Sequence, residues 1–151
     1  MKVYLGTDHA GFELKEKIKD FLISKNIDVK DLGAFLFDEN DDYPDLIAKV
    51  AEEISKDNAA LAIIFGKSGA GEAIVANKFK NVRAFQGFTQ ENVRLAREHN
   101  DANILSLGSD FTDFEKAKQL TDIFLQTPFS GDERHVRRIN KIIEIEQKNY
   151  A

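Results

Sequence analysis

Strands and helices alternate about five times along this chain, which predicts an α/β fold: a three-layer sandwich in which a five-stranded parallel sheet is covered by helices on both faces. Two observations carry that expectation. The run 59-AALAIIF-65 is continuously apolar, as a central strand buried on both faces must be. Segments with helical spacing of apolar residues separate it from the other strand-like stretches.

The first strand is 2-KVYLG-6, short and rich in β-formers. Phe12, Lys15, Ile18 and Leu22 then mark a helix, its apolar stripe widened by Leu14 and Phe21. The stretch 27-IDVKDLG-33 alternates apolar and polar residues, which suits a half-exposed or edge strand. A polar loop, 38-DENDDYPD-45, leads to a helix with Pro44 in its first turn and Ile47, Val50, Ala51 and Ile54 on one face. After the central strand a helix is expected from about Gly71 to Lys78, then a strand at 82–85, a helix over 90–99 and a strand at 104–108. A helix through 115–125 and a long charged helix over 133–150 complete the chain. With no Gly/Ser-rich linker and 151 residues, one domain spanning 1–151 is expected.

Composition narrows the function. The net charge of −5 argues against nucleic acid as the main partner, although a local basic patch could still bind a small anion. The chain has no cysteine, so disulfides, thiolate metal sites and a cysteine nucleophile are excluded. No stretch approaches the roughly 18 apolar residues that cross a bilayer, and the N-terminus lacks a secretory h-region. The expectation is a cytoplasmic protein with no membrane partner.

In an open parallel sheet, ligands bind beyond the carboxyl ends of the strands. Three groups stand there: 7-TDHAG-11, 66-GKSGAGE-72 and 108-GSD-110. The glycine-rich loop can bring backbone N–H groups close to an anion, with the positive end of a helix behind it. Its glycines, Gly66, Gly69 and Gly71, fit neither the Walker spacing nor the dinucleotide fingerprint. A strand-to-helix turn without ligand is the plain alternative. Glu72 could be a dipole-favoured residue of the first helical turn, or a general base beside an oxyanion-holding loop. Asp8 could cap a helix, and Asp8–His9 could serve acid/base or phosphate-binding work. His99 and Asn100 end a helix, where a histidine often only meets the dipole. Arg134 and Arg138 share a helix face and suit a phosphate, or form a solvated basic turn.

Taken together, the chain resembles the type B ribose-5-phosphate isomerases, which include the related galactose-6-phosphate isomerases. The resemblance runs through LGTDHAGFELK, DDYPD at 41–45, GKSGAGEAIVANKF at 66–79, REHNDANIL at 97–105, TPF at 127–129 and RHVRRI at 134–139. It implies a Rossmann-like fold, a homodimer or dimer of dimers with active sites at the subunit interface, and aldose–ketose isomerisation of a sugar phosphate without metal or cofactor. One branch of the family uses a cysteine base just after the third strand, where this chain has Gly66. The other carries a glutamate after the last glycine of the loop, and Glu72 matches it.

By that resemblance Glu72 shuttles a proton between C1 and C2, while Ser68 and the N–H groups of Gly69, Ala70 and Gly71 hold the oxyanion. His99 helps open the furanose ring, with Asp8 on the ring hydroxyls. Tyr43 and Asn100 line the sugar site, and His9, Arg134 and Arg138 bind phosphate. Two departures stand out. Asp110 replaces an arginine that usually helps bind phosphate, and Lys67 replaces a usual glycine. Lys67 would be strained if the turn needs positive φ, or would restore the lost charge. These departures leave three readings: a phosphopentose isomerase with Lys67 in the arginine's role, an isomerase of another sugar, or a non-catalytic sugar-phosphate-binding protein.

Overall fold

A computed structural model describes residues 1–150. Its strands are β1 (Lys2–Thr7), β2 (Asp28–Asp31), β3 (Leu61–Gly66), β4 (Ala84–Gln86) and β5 (Ile104–Gly108). The helices are α1 (Phe12–Ser24), α2 (Tyr43–Lys56), α3 (Ala70–Ala76), α4 (Gln90–Asn100), α5 (Phe114–Gln126) and α6 (Glu133–Asn149). The five strands are parallel, in the order β2-β1-β3-β5-β4. β3 is the central strand that its apolar run predicts, with all six residues buried, and the alternating β2 lies at an edge.

Strand pleating sorts the side chains into two cores. Val3, Leu5, Leu61, Ile63, Phe65, Leu105 and Leu107 point to one face, where α1, α4 and α5 cover them. Tyr4, Ala62, Ile64 and Ile104 point to the other, beneath α2 and the end of α3. Helix α6 stands apart. Only His135 of it is buried.

Element boundaries moved where side chains took backbone groups. β3 begins at Leu61 rather than Ala59, because Asp57 captures the N–H groups of Ala59 and Ala60 in a turn. β4 begins at Ala84 because the Arg83 N–H donates to the Asn103 side chain instead of joining a ladder. α3 begins at Ala70, with Gly69 before it at φ 84° supplying the left-handed turn.

Lys15, on the apolar face of α1, is fully buried. Its Nζ donates to both Asp31 oxygens at 2.9 and 2.8 Å and to the Ala34 carbonyl at 2.6 Å. Burial pushes the Asp31 carboxyl up, but Lys15, the Gly33 N–H and Lys19 outweigh it and hold it below the usual range. This ion pair anchors the segment that carries the chain from β2 past the carboxyl end of β1.

Candidate active site

Three loops meet at the carboxyl edge of the sheet. Gly108 presses so closely on Ser68 that an added Cβ would fall 2.4 Å from its carbonyl carbon. The N–H groups of Ser109 and Asp110 donate to the carbonyls of Gly66 and Lys67, at 2.9 and 3.0 Å. Thr7 Oγ1 donates to the Phe65 carbonyl at 3.1 Å and ties the first loop to the second. The result is a backbone cradle built from β1, β3 and β5.

Glu72 lies beneath this cradle, buried in the first turn of α3. Its carboxylate occupies the space above Gly66: a Cβ on Gly66 would fall 1.9 Å from Oε1. Burial is the main cause that raises the Glu72 carboxyl above the ordinary carboxylate range. The negative charge of Asp8 adds to it, while the N–H groups of Glu72 itself and of Gly69 oppose it. A carboxylate short of solvation beside backbone donors is equipped as a general base.

The N–H groups of the loop are only partly available to a ligand. Gly69 directs its N–H to Glu72, and Ala70 donates to Ser68 Oγ at 3.2 Å. Among the described residues the N–H of Gly71 has no protein acceptor. Tyr43, first residue of α2, lays its ring against Gly71, where an added Cβ would meet the ring and hydroxyl at 2.6 to 2.8 Å. Lys67 is exposed and is not among the residues at positive φ, so its backbone carries no such strain. It sits beside the exposed Asp110 through their backbone bond.

Asp8 is buried at the end of β1, and its Oδ1 accepts from the N–H groups of Ala10 and Gly11 at 3.0 and 3.3 Å. His9 turns toward the β2–α2 loop. Its Nδ1 lies 2.6 Å from Asp41 Oδ1, which also accepts from the His9 backbone N–H at 3.1 Å. That bond with Asp41 is the main cause that raises the His9 pKa above the ordinary value, against the opposing effect of burial, and Asp8 adds to it. Asp8, His9 and Asp41 group their ligating atoms within 4.8 Å of one another, but Nδ1 and Asp41 Oδ1 are already spent on each other. In the sequence Asp41 is only the first residue of DDYPD, and nothing in the spacing of its acidic loop ties it to His9.

The structure brings together Asp8, His9, Tyr43, Gly66, Lys67, Ser68, Gly69, Ala70, Gly71 and Glu72. It does not bring His99, Asn100, Arg134 or Arg138 to them within one chain. His99 and Asn100 end α4 and precede β5, so they stand at the amino end of the sheet, about 17 Å of strand away from the cradle. There His99 stacks on His135, with ring centroids 4.3 Å apart and planes 17° apart. Arg134 and Arg138 flank His135 on α6, exposed. His99 and Asn100 line a groove of about 670 Å³ between α4 and the end of α6. The expected site residues thus fall into two groups within the chain, one around Glu72 and Asp8 and one around His99, Arg134 and Arg138. The stacked His99–His135 pair, 36 residues apart, left no local signal in the sequence.

Comparison with known proteins matches residues 3–142 to the Ribose/Galactose Isomerase family. Ribose-5-phosphate isomerase B of Mycobacterium leprae is 40% identical over 151 residues, covering 100% of this chain and 93% of that protein. A probable ribose-5-phosphate isomerase B of Mycoplasma genitalium is 41% identical over 148 residues, covering 97% and 96%. Among solved structures, ribose-5-phosphate isomerase B of Clostridium thermocellum superposes with a TM-score of 0.94 at 40% identity over 100% of both chains. The Mycoplasma genitalium enzyme with bound ribulose-5-phosphate superposes with a TM-score of 0.93 at 39% identity, over 97% of this chain and 96% of that one.

Proposed function

The chain belongs to the Ribose/Galactose Isomerase family, and from that premise we propose how its cradle interconverts ribose 5-phosphate and ribulose 5-phosphate. The observation that carries the mechanism is the buried Glu72 carboxylate, seated against Gly66 at the mouth of the loop. In the open-chain aldose, Glu72 removes the proton from C2. The electron pair forms the C1–C2 double bond of an enediolate as the carbonyl oxygen on C1 takes up negative charge. Glu72 then returns its proton to C1, and transfer of the O2 proton to O1 leaves the carbonyl on C2. Carbon, oxygen and proton counts balance without an external reductant.

Gly71 N–H and Ser68 are the donors offered to the oxyanion, with Gly69 turning the loop at φ 84° and Ala70 bonded to Ser68 Oγ. Asp8 and Tyr43 border the sugar. His9 and Lys67 are the cations of this half-site that can meet the phosphate. Lys67 stands next to Asp110, so its charge offsets an anion that would otherwise repel the substrate by about 1 to 4 kcal/mol at close range.

A second copy of the chain completes the site. His99, Asn100, Arg134 and Arg138 of one subunit lie too far from its own Glu72 to serve it, and the two arginines would add to the positive charge of His9 and Lys67. The assembly is a homodimer or a dimer of dimers, with His99 positioned to open the furanose ring across the interface. One domain spanning 1–151 carries both halves, and the enzyme works in the cytoplasm.

A coupled assay over pentose and hexose phosphates, with and without the phosphate, tests the substrate. Preferred turnover of ribose 5-phosphate is expected; preference for a hexose phosphate or a free sugar would replace it.

A further inference from the structure

We infer that Asp41 is a positioning residue: by binding the Nδ1 and the backbone N–H of His9 with one oxygen, it leaves Nε2 as the only ring nitrogen free to meet the substrate's phosphoryl group, and only as part of an imidazolium. This rests on the sugar-phosphate reading of the site.

A carboxylate oxygen 2.6 Å from Nδ1 can only accept, so Nδ1 carries a proton. In the neutral ring Nε2 is then an acceptor, useless against phosphate oxygens that also accept. Once the ring is protonated, Nε2 donates, and a charge-assisted hydrogen bond to phosphate becomes possible. Asp41 therefore decides both which nitrogen faces the ligand and which charge state can bind it.

The surroundings are built for the cationic form. Asp41 and Asp38 face the ring from the β2–α2 loop and Asp8 from the β1–α1 loop, all three favouring protonation. The Phe37 ring packs edge-on at 6.2 Å and restricts rotation. Asp41 Oδ2 is buried without a hydrogen-bond partner, so the carboxylate depends on His9 for compensation. The dependence runs both ways, as in the base–orienter pairs of other active sites, although here the oriented imidazole binds phosphate rather than moving a substrate proton.

Asp41→Asn keeps the size of the side chain and removes its charge. With Asp41 gone, the His9 pKa falls, so the imidazolium is lost at a lower pH. KM for ribose 5-phosphate should rise about tenfold at neutral pH, the loss of one charge-assisted bond, with kcat little changed. The pH above which KM climbs should move down relative to the parent, while titration of the substrate phosphate is common to both proteins. Asp41→Glu, which restores a carboxylate, should recover part of the affinity. An unchanged KM–pH profile in Asp41→Asn, or a fall in kcat with KM constant, overturns the inference.

The His9 imidazole is followed separately by NMR, assigned with His9→Asn, with inorganic phosphate as the probe. The parent should show a higher His9 pKa than Asp41→Asn and a larger phosphate-induced shift. Equal pKa values or equal shifts reject the role of Asp41. If the parent turns over no sugar phosphate at all, the isomerase reading falls, while the NMR comparison still decides for or against Asp41.

Discussion

The Glu72 carboxylate and the Cα of Gly66 share one small volume, so close that a Cβ at position 66 would lie 1.9 Å from Oε1. A base carried on residue 66 and a base carried on residue 72 would compete for the same place. This gives a steric reason for glycine to accompany glutamate in this chain. Gly66→Ala should push the carboxylate out of its seat, and kcat should fall about a hundredfold, the cost of displacing a catalytic group by about an ångström. Stopped assays at saturating ribose 5-phosphate would show it. A variant with near-parental kcat would mean the carboxylate can work from elsewhere.

Lys67 occupies an exposed position beside Asp110 at the mouth of the cradle. If it contacts the phosphate, Lys67→Ala raises KM about three- to tenfold with little change in kcat, because it removes binding shared by ground and transition states. Asp110→Arg should act in the opposite direction. Steady-state kinetics on both variants check the pair, and unchanged KM in each would remove Lys67 from the site.

A site divided between copies, as proposed, would allow complementation. Glu72→Gln and His99→Ala homodimers should each be nearly inactive. Mixed subunits should form one intact site per heterodimer, restoring about a quarter of the parental activity after random exchange of equal amounts. No recovery after proven subunit exchange would show that Glu72 and His99 do not act together across an interface.

The Lys15–Asp31 pair is a matter of folding. Asp31→Ala takes one of two carboxylates from the buried Lys15 ammonium, leaving Glu16 Oε1 at 3.0 Å, and should cost about 3 kcal/mol, read from urea denaturation. The Asp31 carboxyl titrates below its ordinary value, so the stabilisation it contributes is complete above the unfolded pKa. It drains away as pH falls through the folded one. The parent should therefore lose stability below about pH 4, and Asp31→Asn should lose less over the same range.

Much of this arrangement was legible in the sequence. The apolar run of β3 announced the centre of the sheet, the alternation of β2 announced an edge, and glycines and carboxylates after strands marked the cradle. What escaped depends on contacts between distant residues. Asp41 is one acid among several in a polar loop until His9 is seen to rest on it. The stacking of His99 on His135 joins two helices that no periodicity relates. The bond between Lys67 and Asp110 joins two loops, and of the two alternatives open for Lys67 strain does not apply, because Gly69 supplies the left-handed turn. Element ends shifted for a similar reason: Asp57 and Asn103 drew backbone N–H groups away from the ladders.

Glu72 is proposed to move the proton, and turnover of ribose 5-phosphate by Glu72→Gln is the sharpest test of that role. The glutamine keeps the shape above Gly66 but cannot accept the proton, so kcat should fall about a thousandfold or more while KM changes little. A Glu72→Gln enzyme whose kcat stays within about tenfold of the parent would contradict the account and move the base elsewhere in the site.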